Sequence, residues 1–524
     1  MSLQMTKFMK GREATKDKTR ILLLYSSEIQ STVMAASLRV APIGLFFING
    51  YLKKKGYTTK IMHIRTMHFT ESSLNSEQYK ERLRKDIVEF DPQYIGYSFR
   101  NLFHWGVPKN PRKLIDYLSM SLEKPTVEFL RETTSAAIIG GGSGFSLAPK
   151  LYMNYLNLDY GVIGEGELAF EELISRLEML KDISETPGLV YRKKGVLFIN
   201  SNSFIKDLDT LPAMEIGDIG EYRELYYDNG GYANIQTKRG CTFRCIYCVY
   251  PYLEGKEYRL RNVTTIVKEV IDIKKRYDIQ HFFVVDSVFS TPSKHSIEFC
   301  DELIKKRAEI EWSAYINPRH ITKELLKKYK EAGCHNLIYT PDTLSKKVLV
   351  SYRKDFSIDD VKKCIQLLNE VDIPFEVSLI LGGPGEDEET VNETIEFCNE
   401  YLKDVPVIFF NGMWLHPSSP AMEVARSEGI FSDGESVDLD KIIFSDDFET
   451  NSKLTYFFPH VKEKRKEFLD RIFAKIQNYK RIIVGKDSII DKDTGTKKHS
   501  PELGVVENQR PWHKGMKGRK LRQP

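Results

Sequence analysis

The chain has 524 residues, 41% hydrophobic and 29% charged, with a net charge of +4; this excludes a disordered or fibrous protein and leaves room for two or three domains. No run reaches the roughly 18–20 apolar residues that span a bilayer, and the polar, basic stretch 1–20 lacks the apolar core of a secretory signal, so a cytoplasmic address without a membrane partner is expected. The charges nearly balance, and only the end, from Trp512 through Lys514, Lys517, Arg519, Lys520 and Arg522, is locally basic; it reads as a solvated tail, with no nucleic-acid partner expected.

After the leader (1–19), Arg20-Ile-Leu-Leu-Leu-Tyr25 carries the continuous apolar run of a strand buried on both faces. Apolar positions at helical spacing follow over Ile43 to Lys55, closed by Gly56, and Thr58 to Ile64 reads as the next strand. A helix is predicted over Glu81 to Phe90, stopped by Asp91-Pro92. Tyr94 to Ser98, Ala136 to Ile139 and Tyr160 to Ile163 are further strands. Strands alternating with helices imply right-handed crossovers and a parallel, doubly wound (Rossmann-like) α/β domain over 20–180. A linker is expected over 181–232, with a small hairpin at Leu189 to Arg192 and Val196 to Ile199.

A second series begins at 233. Its predicted strands are Ala233 to Thr237, His281 to Asp286, Glu311 to Ile316, Asn336 to Thr340, Phe375 to Leu381 and Val407 to Phe410. Its helices are Thr264 to Tyr277, Ser293 to Arg307, Thr322 to Ala332, Ser357 to Val371 and Glu388 to Leu402. Six units suggest a partial (β/α)6 barrel over 233–425, with its chemistry at the C-terminal ends of the strands. A small, mostly helical region (426–486), with one clear helix at Val461 to Lys480, and a disordered tail (487–524) complete the chain.

Seven cysteines are present, and three crowd into Lys238-Arg-Gly-Cys241-Thr-Phe-Arg-Cys245-Ile-Tyr-Cys248, directly after the first barrel strand. This is metal-site usage in a reducing compartment, not a disulfide framework. Three thiolates in one loop can each bind one iron of a cubane and leave the fourth iron open. A closed structural zinc site would need a fourth ligand from elsewhere. The remaining Cys300, Cys334, Cys364 and Cys398 share no spacing and read as buried small hydrophobes.

The C-x3-C-x2-C spacing, with an aromatic before the last cysteine, resembles the signature of the radical S-adenosylmethionine (SAM) superfamily. The resemblance implies a [4Fe–4S] cluster on Cys241, Cys245 and Cys248, whose open iron is chelated by SAM. One electron then breaks a carbon–sulfur bond to give methionine and a 5′-deoxyadenosyl radical. By position, Val285-Asp286-Ser287-Val288-Phe289 stands where the superfamily carries a Gly-Gly-Glu-type motif, and Asp286 would accept from the methionine ammonium group. Ser313 and Arg319, at the third strand end, are candidates for the carboxylate and ribose. Tyr339-Thr-Pro-Asp342-Thr343 replaces the relatives' Glu-Ser pair, with Asp342 as candidate ribose ligand. The turn Gly382-Gly383-Pro-Gly385 falls beside the adenine.

In the first domain, glycines at strand ends allow close approach of a cofactor. Neither Gly140-Gly-Gly-Ser-Gly-Phe145 nor Gly164-Glu-Gly-Glu167 fits the dinucleotide fingerprint. Ser98, Gly141 and Gly164 fall in the crevice where doubly wound sheets bind ligands. Ala41-Pro-Ile-Gly44, Ile139-Gly-Gly141 and Val162-Ile-Gly-Glu-Gly-Glu167, set before the barrel, resemble the cobalamin-binding domain of the B12-dependent radical SAM family. Tyr97-Ser-Phe-Arg-Asn101 and Gly141-Gly-Ser-Gly-Phe145 are closer still to the branch of the thiopeptide tryptophan 2-C-methylase. The resemblance implies cobalamin as second cofactor, with Ser98, Arg100, Asn101, Gly141, Gly142, Gly144, Phe145, Gly164 and Glu165 as candidate contacts. The Asp-x-His-x-x-Gly motif for a lower cobalt ligand is missing, since Tyr25 to Pro42 holds no histidine. The resemblance to the thiopeptide branch implies a lower face without a protein ligand, with Arg100 as the candidate to sit near it and His104 (before Trp105) as the rival, a cobalt ligand.

The leading expectation is a cobalamin-dependent methyltransferase: cob(I)alamin takes a methyl from SAM, and methylcobalamin delivers it to carbon or, in some relatives, phosphorus. The resemblance leaves open whether a deoxyadenosyl radical first removes a substrate hydrogen. The alternative within the superfamily is cyclisation, ring contraction or epimerisation through that radical. A methylthiotransferase needs three further cysteines in the first domain, and none precedes Cys241. A non-enzymatic iron–sulfur sensor is disfavoured by the intact cysteines and the Gly-rich turn. The substrate is expected to be a small molecule or peptide held by Tyr222 to Tyr232, Val249 to Tyr258 and Trp414-Leu-His-Pro-Ser-Ser-Pro420, with Tyr252 and His416 as acid–base candidates. A reducing partner such as flavodoxin or ferredoxin is implied.

Overall fold

The computed structural model describes residues 19–27, 42–65, 76–102, 119–217, 232–403 and 405–428, together with short strands at 455–456, 481–484, 489–490 and 497–498. The predicted helix at 461–480, His104, Trp105 and all of the tail but its short strands at 489–490 and 497–498, which pair antiparallel, lie outside the described residues.

The first sheet contains β1 (Arg20–Ser27), β2 (Thr58–Arg65), β3 (Tyr94–Ser98), β4 (Ala137–Gly141), β5 (Tyr160–Val162), β6 (Leu189–Lys193) and β7 (Val196–Ile199), in the order β2-β1-β3-β4-β5-β6-β7. Strands β1 to β5 run parallel. The order reverses between β1 and β3, which places the ligand crevice of a doubly wound sheet at their C-terminal ends. The apolar run of β1 is explained by its two covered faces: Ile21 and Leu23 pack into one core, Leu22 and Leu24 into another. The helix Glu77–Phe90 starts a turn earlier than expected because Ser76 caps it, its side chain accepting from Tyr79 N at 3.4 Å; Asp91, at φ 44°, ends it.

One expectation is corrected here. The hairpin at 189–199 is not in a linker: β6 pairs antiparallel with β5 and extends the first sheet. The second sheet contains all six predicted strands, and a seventh joins them. It contains β8 (Ala233–Ile235), β11 (His281–Val284), β12 (Glu311–Ile316), β13 (Cys334–Asp342), β14 (Phe375–Leu381), β15 (Val407–Asn411) and β18 (Arg481–Val484), ordered β18-β15-β14-β13-β12-β11-β8. All neighbours are parallel, so the sheet is an open barrel wall with helices between its strands. The extra strand lies against β15, an edge that β1-style apolar patterning does not reveal.

Short antiparallel pairs accompany this wall. β9 (Lys238–Arg239) pairs with β10 (Arg259–Leu260), and β16 (Met413–Trp414) with β17 (Thr455–Tyr456). The two halves share a core: Phe145, Leu151 and Tyr152 of the first domain belong to one buried cluster with Ile246, Val348, Tyr352, Met413 and Leu415 of the second.

Candidate active site

The cysteine loop is the connection between β9 and β10, so their pairing closes both ends of it. Gly240 enters it at φ +92°, and a Cβ there would collide with the Glu257 carbonyl oxygen, so only glycine fits. Cys241 N donates to Gly255 O at 3.1 Å, Cys248 N to Cys245 O at 3.2 Å, and Gly240 N to the Glu254 carboxylate at 3.2 Å. Ser287 Oγ donates to Gly240 O at 2.9 Å, and its hydroxyl also reaches the Cys241 thiol. No thiol is in a disulfide, Cys241 is buried, and Cys245 and Cys248 are half-buried. Burial pushes all three up, Cys248 to about 12, so each must release a proton when it binds metal.

The thiols influence one another electrostatically across the loop. Among the described residues, no three His, Cys, Asp or Glu side chains converge closely enough for one metal ion. Three thiols from one loop can each bind one iron of a cubane and are one ligand short of a closed zinc site.

Around this loop several of the predicted contact residues have partners within the protein. Asp286, expected at the SAM ammonium group, is fully buried and takes Lys238 Nζ at 2.9 Å, Thr237 N at 2.8 Å and the Thr237 hydroxyl. It thereby fixes the strand end that leads into the cysteines. Asp342, expected at the ribose, is paired with Lys354 and accepts from the Tyr247 hydroxyl. Arg319 lies at the rim, half exposed and 3.7 Å from the Asp355 carboxylate. Ser313 is buried on β12, and Ser287 remains beside the loop. The Gly382–Gly385 turn follows β14; a Cβ at Gly383 would run into the Tyr352 hydroxyl, which donates to Ile380 O at 3.2 Å. Glu386, pushed by burial up to about 8, accepts from Gly382 N and braces the turn.

In the first domain, Ser98 and Asn101 are half-buried and Arg100 exposed at the end of β3, beside the crevice. Gly141 is open: a Cβ added there would meet nothing nearer than Val162 O at 3.6 Å. Gly142 and Gly144 answer to the chain itself: Cβ atoms there would strike the Phe99 and Asn101 carbonyls. Phe145, expected at the cofactor, is a fully buried core side chain. Gly164, at φ +77°, faces Asn202. Glu165 also has partners within the protein: it pairs with Arg259 at 2.6 Å and Arg239 at 3.3 Å and accepts from Ile205 N at 2.7 Å. Burial opposes its charge, yet the two guanidiniums hold its carboxyl below the ordinary value.

Arg239 also pairs with Glu167, so the residue two before Cys241 is clamped to the first domain. Arg100 acts across the same gap: burial pushes Tyr250 and Tyr315 of the barrel up, Tyr315 to about 12, and the Arg100 charge opposes both shifts. The crevice of the first sheet therefore faces the barrel mouth. His416 is pushed by burial down to about 4 and is neutral near pH 7.

Sequence reasoning missed Lys354, Arg239, Arg259 and Glu254. None stands in a motif, and the only local signal was the aromatic position filled by Tyr247.

Among known families, the chain matches the Radical SAM superfamily over residues 235–398 and the B12 binding domain over residues 31–174. It is 25% identical to an uncharacterized methyltransferase of Pyrococcus horikoshii over half of its own length, spanning 58% of that relative. It is 24% identical to the anaerobic magnesium-protoporphyrin IX monomethyl ester cyclase of Rubrivivax gelatinosus, covering 85% of this chain and 74% of that one. Its fold is that of the radical S-adenosylmethionine methyltransferase TsrM from Kitasatospora setae, solved with tryptophan substrate and a SAM analogue: TM-score 0.69, 21% identity, 88% of this chain and 89% of that one. No helix among the described residues is long and apolar enough to cross a membrane. With both cofactor domains matched in tandem and the three cysteines on the loop between β9 and β10, the chain belongs to the B12-dependent radical SAM family.

Proposed function

We propose that the chain is a cobalamin-dependent methyltransferase that moves a methyl group from SAM to a carbon centre of a small molecule or peptide. The observation that carries this reading is the clamp of the first domain against the cysteine loop, through Arg239 and Arg259 with Glu165 and through Arg239 with Glu167. Such an arrangement brings two cofactors to one substrate. The donor set fits both: three unbridged thiols for a cluster, and an open Gly141 beside the β1–β3 crevice for a flat macrocycle. When bound, the cluster would supply an iron and an electron for SAM, and cobalamin a carrier for its methyl group.

Cys241, Cys245 and Cys248 would hold the cluster. Ser287, Ser313 and the Gly382–Gly385 turn would orient SAM above it, and Ser98, Arg100, Asn101 and Gly141 would line the cobalamin crevice. A one-electron donor of the flavodoxin or ferredoxin type is the partner this chemistry requires. The test is anaerobic purification with cobalamin supplied, then cobalt and iron analysis and product analysis after incubation with SAM and candidate substrates. We expect cobalt near one equivalent, and S-adenosylhomocysteine formed along with methylated product. Iron without cobalt would overturn the reading. Deoxyadenosine formed without S-adenosylhomocysteine or methylated product would move it to the cyclase type of the Rubrivivax relative.

A further inference from the structure

We infer that Lys354, held by Asp342 and Tyr247, is a positioning residue that sets the reduction potential of the cluster, its ammonium standing as a fixed positive charge behind the Cys245–Cys248 edge. The inference rests on the reading of the cysteine loop as the cluster site.

Tyr247 lies between two of the ligands in sequence, and its hydroxyl donates to Asp342 while accepting from Lys354 Nζ at 3.0 Å. Lys354 Nζ also lies 3.4 Å from Thr340 O, 5.5 Å from the Tyr247 ring centroid and 5.3 Å from that of Phe356. Both members of the ion pair are nearly out of solvent, with side-chain exposures of 5% for Lys354 and 8% for Asp342. Screening by salt is weak at such a site. Burial works against the ammonium, but Asp342 and the neighbouring thiols outweigh it and keep Lys354 charged.

The pair is not electrically silent toward the cysteines. Lys354 Nζ is held 3.0 Å from the hydroxyl of Tyr247, the residue directly before Cys248 and two after Cys245, so its charge is kept beside these two ligands. A buried ion pair is a poor way to gain stability, because desolvation offsets the attraction. A role at the cluster accounts for it better. Reduction adds one electron, supplied by an external donor, to a cluster already carrying thiolate charge. A nearby cation favours that added charge, and cluster potentials respond to local charge and to hydrogen bonds at the sulfurs. Tyr247 ties the pair to the loop, since its hydroxyl donates to Asp342 and accepts from Lys354.

The experiment is a redox titration of the reconstituted full-length holoprotein with dithionite, the reduced cluster followed by electron paramagnetic resonance. Lys354→Gln should lower the ratio of reduced to oxidised cluster about tenfold at the wild-type midpoint, a downward shift of about 59 mV for one electron. Lys354→Arg should stay within about twofold of wild type, and Asp342→Asn, which leaves the cation unopposed, should move the potential upward. Unchanged potentials in iron-replete variants would overturn the inference. So would Lys354→Gln and Asp342→Asn shifting in the same direction, as a mere loss of packing would produce. If Lys354→Gln fails to keep its cluster, Asp342→Asn decides alone, and an unchanged potential there is refutation. Absence of any cluster signal in the wild-type protein would instead defeat the reading of the cysteine loop itself.

Discussion

The carboxyl of Glu123 is buried where it accepts from the Tyr97 and Ser26 hydroxyls, next to the crevice of the first sheet. Burial raises it to about 7 against an ordinary 4.5, even though both hydroxyls pull the other way. Because the folded value is the higher one, the folded chain holds this proton between about pH 4.5 and 7 while the unfolded chain has lost it. The stability associated with Glu123 is therefore complete below pH 4.5, falls as pH rises toward 7, and is level above. Glu123→Gln should remove that slope, with an advantage over wild type growing to about 3 kcal/mol by pH 7. Urea midpoints of the cofactor-free chain at about pH 5 and about pH 7.5 check this; a parallel decline in both proteins would show that Glu123 is not the titrating group. No sequence pattern pointed to Glu123, whose partners lie 26 and 97 residues away.

At the level of elements, the helix Lys346–Ser351 and the turn after it bind three parts of the site together. Tyr352 O receives the Ile246 amide of the cysteine loop at 3.2 Å, its hydroxyl reaches β14, and its ring occupies the space that a side chain at Gly383 would need. Gly383→Ala should cost about 1–3 kcal/mol through overpacking. Tyr352→Phe in the same chain should restore part of it, since it removes the nearest of the atoms that the new methyl meets, the phenol oxygen, and leaves the ring carbons. Thermal midpoints of the two single variants and the double variant measure the coupling; strictly additive losses would show that the two residues do not touch. β12 and β14 were legible to the residue, because apolar side chains on both faces end at clear breaks. The hairpin at 189–199 was seen as strands but not as part of the first sheet. Its pairing with β5 depends on which edge lies free in space, and local pattern carries no such information.

For the molecule as a whole, both cofactor domains were legible and their connection was not. Glycines and aspartates at strand ends mark a site, but the partners that claim them are distant: Glu165 meets Arg259 across 94 positions and Asp286 meets Lys238 across 48. Motif position alone therefore does not show that Glu165 and Asp286 carry these ion pairs. The clamp can be tested by breaking it. Glu165→Ala strands the guanidinium of Arg259, while Arg239 keeps Glu167, and should destabilise the chain by about 3–5 kcal/mol. Adding Arg259→Met should return a measurable part, because the stranded charge is gone. Urea denaturation of the cofactor-free proteins reads both effects, and a loss under about 1 kcal/mol for the single variant would mean that the pair is solvated.

The buried cluster shared by Phe145, Tyr152, Ile246, Tyr352 and Met413 has an evolutionary consequence. Recombination that swapped the first domain for a homologue's would bring a foreign surface against Tyr352, and Tyr352 in turn holds the loop of cysteines. A chimera would therefore damage iron binding without altering a single ligand. New specificity in such a lineage arises more readily from drift in the loops at the barrel mouth than from exchange of whole domains.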